Sequence, residues 1–249
     1  MSLWRLEWLR LVRTHRLVAI LGVYVFFGLT GPLTARYLSA ILTRFGTQGV
    51  RIEFPPPMPA DGIAQFVSNT SQIGLLVVVM VSASALAFDA RREMAVFLRT
   101  RVDNPRAIVI PAYTVNAAAA VAGFVLGSLA AWYETAVLLG TLPAWRMLAG
   151  IGYGALFLVF AVAAVAAVAS VARGVLGASG ITLVLLLALA ILGNVRSIGK
   201  WLPTHLAGAI VGLVRDTNPA DLLPAAAVAA VLSVALLALA VWLGARREL

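Results

Sequence analysis

Apolar residues fill this chain in long uninterrupted blocks, and the charged residues fall between them. Six charge-free windows stand out: Leu17–Ala35, Gly62–Phe88, Ala107–Tyr133, Met147–Ala172, Gly174–Val195 and Leu222–Ala245. A helix needs about 20 apolar residues to cross a bilayer, and a central Arg or Asp costs roughly 2.5–3.5 kcal/mol. Each window therefore predicts a membrane-spanning α-helix. The second is expected to begin near Thr70, because Gly62–Asn69 is polar and follows a proline cluster. A further charge-free stretch, Trp201–Val214, contains Pro203 and His205 and is too short to span. Within the region 196–221 it reads as a re-entrant or interfacial helix.

Residues 1–16 show another pattern. On a helical wheel Trp4, Trp8, Leu11 and Val12 share one face, while Arg5, Arg13 and Arg16 share the opposite one. That arrangement predicts an amphipathic helix at the membrane surface rather than a cleavable signal peptide. Ahead of the last window, Asn218-Pro219-Ala220-Asp221 reads as a helix start, with Asn capping and Pro in the first helical position. Gly123/Gly127, Gly150/Gly154 and Gly208/Gly212 have the small-xxx-small spacing of closely packed membrane helices. The expected fold is an all-α integral membrane protein of six spans.

Composition agrees with the pattern. Hydrophobic residues make up 62% of the 249, charged residues only 12%, and mean hydropathy is +0.98; a soluble domain carries about 25% charged residues. Cysteine is absent, which removes disulfides and thiolate metal sites. The net charge of +9 becomes informative once placed on the six spans. With both termini inside, Arg5, Arg10, Arg13, Arg16, Arg91, Arg92, Arg99, Arg101, Arg106, Arg173, Arg246 and Arg247 are cytoplasmic. Arg36, Arg44, Arg51, Arg146, Arg196, Lys200 and Arg215 then lie outside, while the ten acids divide evenly. The positive-inside rule favours this orientation, and the basic excess needs no nucleic-acid partner.

The longest cytoplasmic connection, Asp89–Arg106, carries five arginines around Met94, Val96, Phe97 and Leu98. An apolar patch ringed by cations suits docking onto a soluble partner, and a solvated connector that only sets topology suits it equally. The one lysine, Lys200, is followed by Trp201, so the Gly-Lys-Ser/Thr of a P-loop is missing and the chain is not expected to hydrolyse nucleotide. No acid falls centrally in a span, which disfavours ion coupling through intramembrane carboxylates. His15 and His205 read as interfacial polar residues. Ser82, Ser84, Tyr113, Thr114 and Asn116 fall within spans, where helix–helix hydrogen bonding and the lining of a path are both open to them.

Several features together resemble the membrane subunit of a type-2 ABC (ATP-binding cassette) exporter. They are the Arg-rich N-terminal helix, six spans, Gly28–Pro32, the outer proline-rich loop, Phe88-Asp89-Ala90-Arg91-Arg92, the interrupted hairpin before span 6, and the tail Ala245-Arg246-Arg247-Glu248-Leu249. Where that family commonly has Gly-Thr, Arg91-Arg92-Glu93 is followed by Met94-Ala95, and the family's turn appears as Val102-Asp103-Asn104-Pro105-Arg106. The resemblance implies one permease transmembrane domain over 1–249, in the cytoplasmic (inner) membrane with both termini cytoplasmic. It implies pairing with a second permease, identical or related, and with two copies of a P-loop ATPase that holds ATP and Mg. The chain itself would be no enzyme and hold no cofactor, and its surroundings would be membrane lipids. Residues 89–106 would be the coupling segment, with Arg91, Arg92, Glu93, Met94, Phe97, Arg99 and Arg101 meeting the ATPase. Trp4, Arg5, Trp8, Arg13 and Arg16 would form the interfacial helix, and Tyr113, Asn116, Trp201 and His205 would line a path or gate. A membrane scaffold that recruits another protein, and an ion-coupled carrier, are the competing readings.

Overall fold

The computed structural model describes residues 3–45, 56–87 and 106–246. Among them every regular element is helical. Helix α1 (Leu3–Arg13) turns at His15, which takes a left-handed backbone, into α2 (Arg16–Phe45). Helix α3 (Pro59–Asn69), a π turn (Thr70–Gly74) and α4 (Leu75–Leu86) follow one another without a break. Next come α5 (Arg106–Leu138), α6 (Ala144–Ala169) and α7 (Gly174–Leu192). A broken hairpin follows, made of α8 (Arg196–Gly199), a 3-10 turn (Pro203–Gly208) and α9 (Ala209–Val214). A second 3-10 turn (Pro219–Leu222) then opens α10 (Leu223–Arg246).

Six helical segments are long and apolar enough to cross a membrane: Arg16–Leu38, Pro59–Leu86, Arg106–Leu138, Ala144–Ala169, Gly174–Leu192 and Pro219–Arg246, here spans 1 to 6. They coincide with the six charge-free windows. Span 2, however, starts at Pro59 rather than near Thr70. Pro59 sits in the first turn, where a missing N–H costs nothing, and the Asp61 carboxylate accepts the Met58 N–H at 3.0 Å. Ile63, Phe66 and Val67 are then buried, so the polar look of this stretch hides an inward apolar face.

Span 4 is the centre of the bundle, packed against spans 2, 3, 5 and 6 and against α9. Val162, Ala163, Ala164 and Val165 in its middle have no exposed surface. Small residues permit the closest approaches. A Cβ added at Gly127 would stand 2.5 Å from the Tyr24 carbonyl oxygen, and one at Gly150 would stand 2.6 Å from Ile210 Cα. Gly123/Gly127 and Gly150/Gly154 thus pack as their spacing predicts, whereas Gly208 has nothing within 4 Å. The stretch expected as one short helix over Trp201–Val214 is divided, with Pro203 opening a 3-10 turn before α9. Leu206, Ile210 and Leu213 of this hairpin are fully buried. The expected cap before span 6 forms, with Asn218 Oδ1 accepting the Ala220 N–H at 3.0 Å.

Spans 5 and 6 leave broad apolar faces exposed, including Leu176, Val184, Val231 and Val234. Trp4, Trp8 and Trp242 lie at one end of the bundle and Trp145 and Trp201 at the other, each about half exposed. That is the distribution of aromatic belts at two membrane–water interfaces.

Candidate functional site

At the end of the bundle that carries α1, the stripe of that helix that packs on the bundle is not its apolar face. Leu11 turns inward together with Glu7, while Trp4, Trp8 and Val12 stay exposed, as do Arg5 and Arg13. A helix against a protein wall buries the stripe that touches the wall, and the remaining indoles face outward. Glu7 is only 8% exposed and pairs with Arg10 at 3.5 Å, one turn along. Burial pushes its carboxyl above the usual range, against the attraction of Arg10 and Arg16. Sequence reasoning passed over Glu7 because a lone acid in an Arg-rich segment carries no positional signal.

Arg10 also reaches span 2, donating from Nη2 to the Ser84 carbonyl at 3.4 Å. On its other side α1 packs on span 3, where Leu3 and Trp4 face Arg106, Ala107, Ile110 and Pro111. One surface helix therefore touches both spans that bracket residues 88–105. The candidate coupling residues Arg91, Arg92, Glu93, Met94, Phe97, Arg99 and Arg101 lie outside the described residues.

Midway along the bundle spans 1 to 4 meet around Tyr24. Its ring stands edge-on to Phe124 with centroids 5.9 Å apart, and Phe66 stacks on Phe124 at 6.2 Å. Glycines make room on two sides: a Cβ at Gly74 would lie 3.1 Å from the Tyr24 ring, and one at Gly154 would lie 2.5 Å from Phe124. Beside them is a cavity of about 20 Å³, walled among others by Tyr24, Thr70, Phe124, Gly154 and Ala207. That is room for about one water molecule. Thr70, at the start of the π turn, returns its hydroxyl to the Phe66 carbonyl at 2.8 Å. Single-turn π segments are frequent at functional positions, because they interrupt the α register. Neither Tyr24 nor the π turn was nominated from sequence; the Gly123/Gly127 spacing was the only pointer toward Tyr24.

The residues nominated for a path do not come together. Tyr113 is buried and donates to the Val159 carbonyl of span 4 at 3.3 Å, while Asn116 returns its amide to Ala112 at 2.8 Å. They sit about 10–15 Å along span 3 from Arg106. Trp201 and His205 are exposed near the opposite end of the bundle, with Lys200 beside the Trp201 ring. Of the span hydroxyls, Ser84 and Thr114 bond back to their own helices. Ser82 Oγ and Asn116 Oδ1 are buried without a hydrogen-bond partner among the described residues.

The opposite end is tied by charge. Arg146, at the start of span 4, pairs with Asp216 and donates to the Leu213 carbonyl at 3.2 Å. The neighbouring Arg215 pairs with Asp61 at 3.1 Å, the same carboxylate group that caps α3. Two adjacent residues of opposite sign thus pair the end of the hairpin with spans 2 and 4. Asp216 occupies the left-handed region, φ 70°, which Asp tolerates better than most side chains.

Among curated proteins the chain is similar to an uncharacterized transmembrane protein, YxlG, of Bacillus subtilis (strain 168), at 23% identity over 162 residues. The match covers 64% of this chain and 63% of that protein, less than two thirds of the relative's length. This is a multi-pass membrane protein. No protein-family model matches the chain, and no solved structure matches it.

Proposed function

We propose that the chain is the transmembrane permease subunit of an ATP-driven ABC exporter, working as a dimer and coupled to two copies of a separate P-loop ATPase that holds ATP and Mg. The observation that carries this reading is the bridge made by α1. Through Arg10 and Ser84 it holds span 2, and its other side packs on span 3. The basic segment 89–106 is strung between those two spans, so a push on it moves both. Spans 2 and 3, with spans 1 and 4, also wall the Tyr24 cavity. A displacement at the α1 end thereby reaches the middle of the bundle through packed helices, which transmit rather than absorb strain.

Energy would come from outside the chain, since its single lysine lacks the Gly-Lys-Ser/Thr setting. In this reading the α1 end is cytoplasmic, the membrane is the inner one, and the exposed apolar faces of the outer spans meet lipid and the second permease. Arg91, Arg92 and Glu93 would contact the ATPase. The test is co-expression with a neighbouring P-loop ATPase, followed by reconstitution and measurement of ATP-dependent export. Charge reversal at Arg91, Arg92 and Glu93 is expected to leave basal ATP hydrolysis in place and abolish its coupling to transport. Absence of any co-purifying ATPase would favour the scaffold reading, and transport driven by an ion gradient without ATP would favour the carrier.

A further inference from the structure

Between α1 and the foot of span 3 lies a groove of about 430 Å³ lined by Leu3, Trp4, Arg106, Ala107, Ile110 and Pro111. Its size falls within the range of small-molecule sites, about 300–1,000 Å³, and its chemistry is divided. Leu3, Ile110 and Pro111 make an apolar floor. Arg106 brings a permanent cation with five N–H donors, enough for several partners at once. Trp4, half exposed, brings an indole N–H. Pro111 has no N–H, so the carbonyl of Ala107, four residues back, lacks its α-helical donor and remains an acceptor.

We propose that this groove binds one anionic phospholipid of the phosphatidylglycerol kind. The phosphate sits on Arg106 and the Trp4 indole N–H, a headgroup hydroxyl donates to the Ala107 carbonyl, and one acyl chain lies along Leu3, Ile110 and Pro111. Charge selects the anion: α1 carries three arginines, Arg5, Arg10 and Arg13, against one acid, Glu7, and among the described residues the groove is lined by Arg106 and no acid. Location selects the lipid, because the groove lies at the foot of a membrane span beside outward-facing indoles, and a free phosphate has no use for an apolar floor. The inference requires that span 3 crosses a bilayer and is independent of the exporter reading.

The test uses the full chain, purified in mild detergent, stripped of lipid and titrated by native mass spectrometry. The probes are phosphatidylglycerol, phosphatidylcholine and glycerol phosphate. One phosphatidylglycerol is expected to bind at least about tenfold more tightly than phosphatidylcholine, and glycerol phosphate far more weakly than either. Arg106→Gln removes a charge-assisted contact and is expected to lose about tenfold, with Arg106→Lys intermediate. Ile110→Trp, which fills the floor and changes no charge, is expected to lose as much. Leu3→Trp repeats that test should Ile110→Trp not stay monodisperse, and Arg215→Gln at the far end is expected to bind as the parent does. Equal affinity for the two lipids, or Arg106→Gln and floor variants that bind like the parent, would overturn the site. Glycerol phosphate binding as tightly as the lipid would overturn its acyl half.

Discussion

Arg10 reaches the carbonyl oxygen of Ser84, 3.4 Å away, although 74 residues separate them. The contact joins a surface helix to the last turn of span 2, immediately before the basic connection. Replacing Arg10 by Met keeps the aliphatic stem and removes the donor. The expected loss is about 1–3 kcal/mol in α1 docking, read as faster amide exchange across Leu3–Arg13 with no change in the centre of span 4. Unchanged exchange in α1 would deny the contact any holding role.

Glu7 makes that docking sensitive to pH. Its carboxyl is raised in the folded chain by burial, so the folded form prefers the proton. A raised carboxyl contributes its stability below the ordinary Glu range and loses it as pH rises through the elevated value. Limited proteolysis within α1 should therefore be slower near about pH 4 than near about pH 8, once corrected for protease activity. Glu7→Gln should remove the difference; a Gln variant that keeps the full pH dependence would assign it to another group.

The glycine contacts give a graded test of packing. Gly127→Leu forces spans 1 and 3 apart at the Tyr24 carbonyl, and Gly154→Leu strikes the Phe124 ring. Each is expected to cost at least about 1–3 kcal/mol in thermal unfolding of the purified protein. Gly152→Leu, where nothing lies within 4 Å, should stay within about 0.5 kcal/mol. Equal losses at Gly152 and Gly127 would contradict the close crossing.

Tyr24 separates shape from polarity. Its ring is fully buried and stands edge-on to Phe124, so Tyr24→Ala should cost about 3–5 kcal/mol. Tyr24→Phe keeps the ring and should cost about 1 kcal/mol or less in thermal stability. A severe Phe variant would instead show that the hydroxyl holds the site together.

The ion pair between Arg215 and Asp61 is about half exposed on each side, so a double-mutant cycle should return no more than about 1 kcal/mol, shrinking with salt. A larger coupling would mean the hairpin is anchored chiefly by charge. The buried Leu206, Ile210 and Leu213 argue that apolar packing anchors it.

The six spans were legible because the cost of a charge inside a bilayer leaves a direct trace in sequence, namely its absence over about 20 residues. The Asn218 cap was legible for a similar reason, since capping depends on a few adjacent residues. What stayed hidden depends on rotation and on partners distant in the chain. Glu7 turned inward because the wall touched by α1 covers a stripe that hydropathy does not mark. Asp61 and Arg215 are 154 residues apart, and no local pattern couples them. The start of span 2 was misplaced because Asp61 and Gly62 look like loop residues, yet one caps the helix and the other lies buried. Tyr113 and Asn116 stand out by polarity, and Trp201 and His205 by the family resemblance of their hairpin; neither signal carries a depth coordinate.

The π turn at Thr70–Gly74 sets the angular phase between the two halves of span 2. An uninterrupted α repeat counted from Ile63 would bring Val77, Val81 and Ser84 to the inner face, each residue advancing about 100°. The structure buries Val79, Ser82 and Leu86 more deeply, residues that this count places about 100–160° away. The extra residue works like one tooth added to a gear: the half that meets Tyr24 and the half that meets Arg10 each engage their own neighbours only because they are clocked differently. Deleting a single residue there would leave the span long enough for its bilayer and turn the wrong side of α4 toward span 4.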